Sequence, residues 1–150
     1  MSAHQEHPAP KPRPFWQHPI LALPGYWLVT GLCALYGTVL SLGRVELRAG
    51  MLICRSMPNW SFGRGGTMMG AVFLTKNALS ANILAHEKVH QKQWKRYGLA
   101  FPILYFRAGL DPYRNRFEIE AGLVLGGYAP RASANLPERH RPESDTRSHD

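Results

Sequence analysis

Residues 86 to 90 read His-Glu-Lys-Val-His, and within the 150 residues of this chain the pentad names a chemistry most directly. On a helix its two histidines stand at i and i+4, one turn apart on one face. Both imidazoles can then close on one zinc ion, with Glu87 beside the metal's open position. A catalytic zinc takes three protein ligands and keeps a fourth place for water, so a further donor must come from elsewhere. The downstream candidates are Glu118 and Glu120. Two residues on a helix are about 200° apart, so one of these carboxylates is a ligand and the other supports the site from outside or is solvated. The chemistry implied is hydrolysis, with Glu87 as the general base for a water made acidic by the metal.

The elements that must position these groups are legible around them. Ser80 or Asn77 can cap a helix through Ala81, Ile83, Leu84, Val89, Trp94 and Tyr97, and Gly98 is placed to end it. Ile83, His86, His90, Trp94 and Tyr97 form one stripe of that helix, and Lys88, Lys92, Lys95 and Arg96 share a different face. The histidines therefore point inward. Asp111 and Pro112 predict the start of a second helix carrying Glu118, ended by Gly126 and Gly127. Val45 to Arg48 and Met51 to Arg55 read as a hairpin around Ala49-Gly50, and Met68 to Thr75 as a third strand. With an apolar helix from about Leu99 to Leu110, the pattern predicts an α+β domain: short antiparallel strands packed on the pentad helix and a Glu-bearing helix, with the metal between them.

HExxH followed some thirty residues later by a helix of the form Glu-x-x-Ala-x resembles the gluzincin metallopeptidases, including their minimal members and the membrane-embedded prenyl-protein type. The stretch Gly63 to Tyr128, with Trp94 and Asn-Arg-Phe-Glu-Ile-Glu-Ala, is similar to small bacterial HExxH domains. The resemblance implies a zincin-like fold with His86, His90 and Glu118 as zinc ligands, Glu87 as general base, and a peptide or protein substrate. It also implies that Gly65 to Leu74 is the strand whose edge holds the peptide, making Met68, Gly70 and Val72 the substrate-binding candidates. One position departs. The peptidase pattern often has an aspartate four residues after the ligand glutamate, orienting the first histidine, and here that place is Gly122. Loss of such a partner typically costs 10- to 100-fold in affinity or activity unless Glu120, Asn115 or a backbone carbonyl takes the role.

Composition bounds the rest. The Pro-Ala-Pro-Lys-Pro-Arg-Pro run within residues 1–14 reads as a disordered or stiff tail, and residues 129–150 as a disordered polar tail. Between them lie an apolar helix at 15–43 and the zincin-like domain at 44–128. Ile20 to Leu42 carries no charge and is long enough to cross a membrane, with Trp16, Tyr26 and Trp27 near its start and Arg44 and Arg48 beyond its end. Pro24, Gly25, Gly31 and Gly37 equally suit a buried helix covering the domain. A crossing segment with the heavier basic load on its C-terminal side predicts a membrane-associated protein with a cytoplasmic zinc domain; the buried alternative predicts a soluble cytoplasmic one. Net charge is +8, of which +7 falls on residues 20–128 after subtracting +1 and 0 for the two tails. Neither a reading motif nor a basic patch with stacking aromatics accompanies it, so no nucleic-acid partner is expected and anionic lipid fits better. Cys33 and Cys54 make no disulfide framework and no CxxC site. Two rival functions remain at this level: a zinc metallopeptidase, and a catalytically weak or inactive zinc-binding, membrane-associated protein on a zincin scaffold.

Overall fold

In the computed structural model, which describes residues 19–63 and 65–128, an apolar helix α1 (Pro19–Leu40) leads into a hairpin of β1 (Val45–Arg48) and β2 (Met51–Cys54). A 3-10 turn at Asn59–Ser61 precedes a second hairpin of β3 (Gly66–Met69) and β4 (Val72–Thr75). Three helices follow: α2 (Ala81–Tyr97), α3 (Ala100–Arg107) and α4 (Arg116–Ala121). The segments 1–14 and 129–150 lie outside the described residues. The class is α+β, as the sequence predicts, with a four-stranded sheet in the order β1-β2-β4-β3.

Two details of the sheet differ from the expectation. The single strand at Met68 to Thr75 is a hairpin, because Gly70 takes φ +62 and turns the chain between Met69 and Val72. A side chain there would meet Thr30 of α1, whose hydroxyl accepts from the Ala71 amide, so the turn is clamped against that helix. The sheet is also mixed: β1/β2 and β3/β4 are antiparallel, but β2 pairs with β4 in parallel. At the β1–β2 turn Ala49 and Gly50 both have positive φ, the signature of a two-residue type I′ turn.

α2 begins where Ser80 accepts from the Ile83 amide and stops at Gly98, as the caps predict. α4 is shorter than expected. Asp111 and Pro112 form a turn, in which Asp111 accepts from the Tyr113 amide, and the cap is Asn115, which accepts from the Phe117 amide. Asn115 is buried and also donates to the carbonyls of Tyr105 and Gly109, so one side chain starts α4 and ties it to the end of α3. Gly122, at φ +90, ends α4 well before Gly126 and Gly127.

The main core joins Tyr26 of α1, Met51, Ile53 and Phe73 of the sheet, Trp94 of α2, and Phe101 and Phe117 of α3 and α4. α1 runs about 33 Å at 1.5 Å per residue, and by length and composition it is long and apolar enough to cross a membrane. Here one face of it lies on the sheet and on the C-terminal half of α2, with Gly25 against Leu99 and Gly37 against Cys54 and Leu74.

Candidate metal centre

The inward face of α2 presents His86 and His90, both buried, with their Nε2 atoms 3.1 Å apart. α4 brings Glu118 across from them. Its Oε2 is 3.2 Å from His86 Nε2, its Oε1 is 3.7 Å from His90 Nε2, and the three donor atoms lie within 4.8 Å of one another. The edge of a tetrahedron of nitrogen and oxygen ligands about an ion such as zinc is roughly 3.3 Å, so the spacing already matches a ligand cage.

The protons on the two rings follow from their outer neighbours. His86 Nδ1 stands 3.0 Å from the Gly122 carbonyl, which can only accept, so Nδ1 carries the proton and donates it there. His90 Nδ1 is 2.8 Å from Oε1 of the buried Gln93. The amide nitrogen of that glutamine donates to the Phe117 carbonyl at 3.1 Å and to the Glu120 carboxylate at 2.9 Å, which fixes Oε1 toward the ring and the proton on His90 Nδ1. With Nδ1 of each ring so engaged, both rings turn Nε2 toward each other and toward a carboxylate. Glu118 Oε2 and Glu87 Oε2 are buried without a hydrogen-bond partner. Such a cluster calls for positive charge, which a proton on an Nε2 or a metal ion supplies, and the set of two imidazoles and a carboxylate fits a metal ion.

The electrostatics show the same demand for positive charge. Burial lowers the proton affinity of His86, but Glu118, the Gly122 carbonyl and Glu87 outweigh it and hold the ring above the ordinary histidine value. Burial would likewise lift Glu118, but His86, His90 and Tyr105 hold its carboxyl well below the usual carboxylate range. The Tyr105 hydroxyl donates to Glu118 Oε1. Glu87 runs the other way: burial pushes its carboxyl up and Glu118 adds to the push, against the pull of the two histidines.

A cavity of about 720 Å3 opens over the cluster, its wall including Gly66, Met68, Glu87, Phe101, Phe106 and Tyr128. β3, at the edge of the sheet, forms one side of it. Met68 lies in that wall, its carbonyl accepting from the Trp94 indole at 2.8 Å. Gly70 and Val72 are not in the wall: Gly70 is the turn packed on α1, and Val72 sits in β4, an interior strand flanked by β2 and β3. Of the two carboxylates, Glu118 faces the histidines and Glu120 is exposed, bonded to Gln93. Tyr105 and Tyr128 also line the cavity.

Two contributors, and the position of a third, escaped the sequence. Gln93 is three residues beyond His90 and so returns to the same face of α2, a spacing that could have flagged it. Of the three substitutes open for the missing aspartate, a backbone carbonyl serves His86, and that it is the carbonyl of Gly122 has no sequence signature. Gly126 packs so close that a Cβ would stand 2.6 Å from the His86 ring. Compared with protein-family models, with curated proteins and with solved structures, the chain has no match.

Proposed function

We propose that the protein is a zinc-dependent metallopeptidase in which His86, His90 and Glu118 hold the ion and Glu87 is the general base. The observation that carries this reading is the convergence of two histidine Nε2 atoms and a buried carboxylate within 4.8 Å of one another, with Nδ1 of each ring held by an acceptor outside the cluster. Glu87 supports catalysis over a purely structural site, because a structural metal needs no buried carboxylate held in the cavity wall with one oxygen unpaired. When bound, the metal supplies Lewis acidity, which makes a water ionise near neutral pH and polarises a carbonyl.

The chain's own residues do the remainder. Glu87, whose burial raises its proton affinity, takes a proton as water attacks the amide carbonyl and delivers it to the leaving nitrogen. Gly122 and Gln93 hold the two rings so that their Nε2 atoms stay aimed inward. Tyr105 orients Glu118 through its hydroxyl. An extended peptide pairs with the outer edge of β3. The alternation of an antiparallel hairpin closed at Gly70-Ala71 turns the backbone of Gly66 and Met68 outward, and the Trp94 indole already holds the Met68 carbonyl.

The test is hydrolysis of a mixed peptide library by the zinc-loaded protein, read by mass spectrometry beside Glu87→Gln. Cleavage by the wild type that disappears in the variant, with zinc retained in both, is the expected result. Equal cleavage by both proteins overturns the mechanism.

A further inference from the structure

Half of α1 is turned away from the domain, and every residue on that half is uncharged. Ile20, Trp27, Leu32, Leu35 and Val39 are between 61 % and 74 % exposed, Leu21 and Leu28 lie among them, and Leu42 in the turn just beyond the helix is 81 % exposed. Trp27 and Tyr36 are nine residues apart, which at 100° per residue is two and a half turns, so they flank an apolar arc of roughly 180°. One partner helix covers a narrower seam, the a and d positions of a heptad. A face this broad, rimmed by a tryptophan and a tyrosine, has the form of a helix lying in a lipid interface.

The apolar surface does not end with α1. Leu99 lies against Gly25, at the margin of the exposed arc, and begins a second stripe of Leu99, Ile103, Phe106 and Leu110 at spacings of four, three and four. These four side chains are 55 % to 66 % exposed, and Phe106 and Leu110 also line the metal cavity. Charge complements the face. Outside the metal site the described residues carry eleven lysines and arginines against three acids, Glu46, Asp111 and Glu120. Arg44 and Arg48 follow the far end of α1, Lys95 stands over the Tyr26 ring near its start, and Arg107 follows Phe106.

We infer that the outward half of α1 and the stripe from Leu99 to Leu110 form one docking surface for an anionic phospholipid bilayer, which sets the mouth of the metal cavity at the membrane surface. The bilayer meets α1 from one side, because the other side carries the sheet and α2. This holds whether or not the cavity hydrolyses peptides, so its test is independent of that reaction.

The test is flotation of the full chain with sealed vesicles of phosphatidylcholine, with and without phosphatidylglycerol. Wild type should float with the anionic vesicles, less so as salt is raised, and Trp27 emission should be quenched by brominated lipid, with the quenching reduced in Trp27→Phe. The triple variant Leu28→Glu, Leu32→Glu, Leu35→Glu changes exposed positions and should keep its metal content and circular dichroism while partitioning at least about a hundredfold more weakly. Wild type that stays unbound overturns the proposal, as does a triple variant that floats equally well. A wild-type dimer that ignores vesicles and that the triple variant splits into monomers gives the face to a second copy instead.

Discussion

Replacing Gln93 with methionine, which keeps its length and volume but removes both polar ends, should loosen the metal site without touching a ligand. In the native arrangement Oε1 accepts from His90 Nδ1 at 2.8 Å, and the amide nitrogen holds the Phe117 carbonyl and Glu120. Without that acceptor the His90 proton is free to move to Nε2, the atom that must offer its lone pair. The loss of a partner behind a metal-bound histidine is typically 10- to 100-fold in affinity, or about 1.4–2.7 kcal/mol. Separately, the buried Phe117 carbonyl loses a donor, which should lower folding stability by about 1–3 kcal/mol. Gln93→Glu separates the two effects. It retains an acceptor for His90, so affinity should stay nearer wild type, but it turns a second carboxylate on the Phe117 carbonyl and Glu120, so stability should fall, and Glu120→Gln should recover part of it. Affinity is read by competition with a chromophoric chelator and stability by thermal melting. A folded Gln93→Met protein that binds metal as tightly as wild type would refute the claim that this glutamine sets the His90 proton.

Other expectations follow from the same structure. Glu87→Gln removes a buried charge with one unpaired oxygen, so besides keeping its metal it should raise the metal-free protein's stability by about 1 kcal/mol near neutral pH, read as a higher melting temperature. Two glycines of α1 should respond with opposite signs. A Cβ on Gly37 would meet Cys54 Sγ at 2.5 Å, so Gly37→Ala should cost about 1–3 kcal/mol. Nothing stands within 4 Å of that place on Gly31, so Gly31→Ala should gain up to about 1 kcal/mol from helix propensity alone, both read by urea denaturation. Burial, with Cys33 nearby, pushes the Cys54 thiol up to about 11, so at pH 8 roughly one molecule in a thousand carries the thiolate; iodoacetamide should leave Cys54 unmodified in the native protein and label it in urea, as peptide mass spectrometry would report.

Sequence alone reached furthest where side chains carry the information. The pentad helix is bounded by Ser80 and Gly98 because a cap and a C-terminal glycine are local chemistry, and the inward stripe places both histidines correctly. Rotation about a helix separates Glu118 from Glu120 but cannot say which faces the histidines; that depends on how α4 is tied down, and the tie is Asn115, whose amide serves α3 as well as the cap. The strand read at Met68 to Thr75 conceals a hairpin because Gly70-Ala71 is a weak turn signal, and the turn forms against Thr30, forty residues earlier. That same turn removes Gly70 and Val72 from the cavity wall. The Gly122 carbonyl, which takes the place of an absent aspartate, is invisible in a side-chain pattern. The apolar run at Ile20 to Leu42 reads as one uniform segment, whereas packing divides it into a face on the domain and a face turned outward.

Whether His86, His90 and Glu118 together hold a metal ion is decided by metal analysis of the purified wild type beside His86→Ala and Glu118→Ala. One equivalent of zinc in the wild type, lost in both variants while the fold persists by circular dichroism, is the predicted result. A wild type that takes up no metal, or variants that retain the full equivalent, would contradict the proposed ligand set.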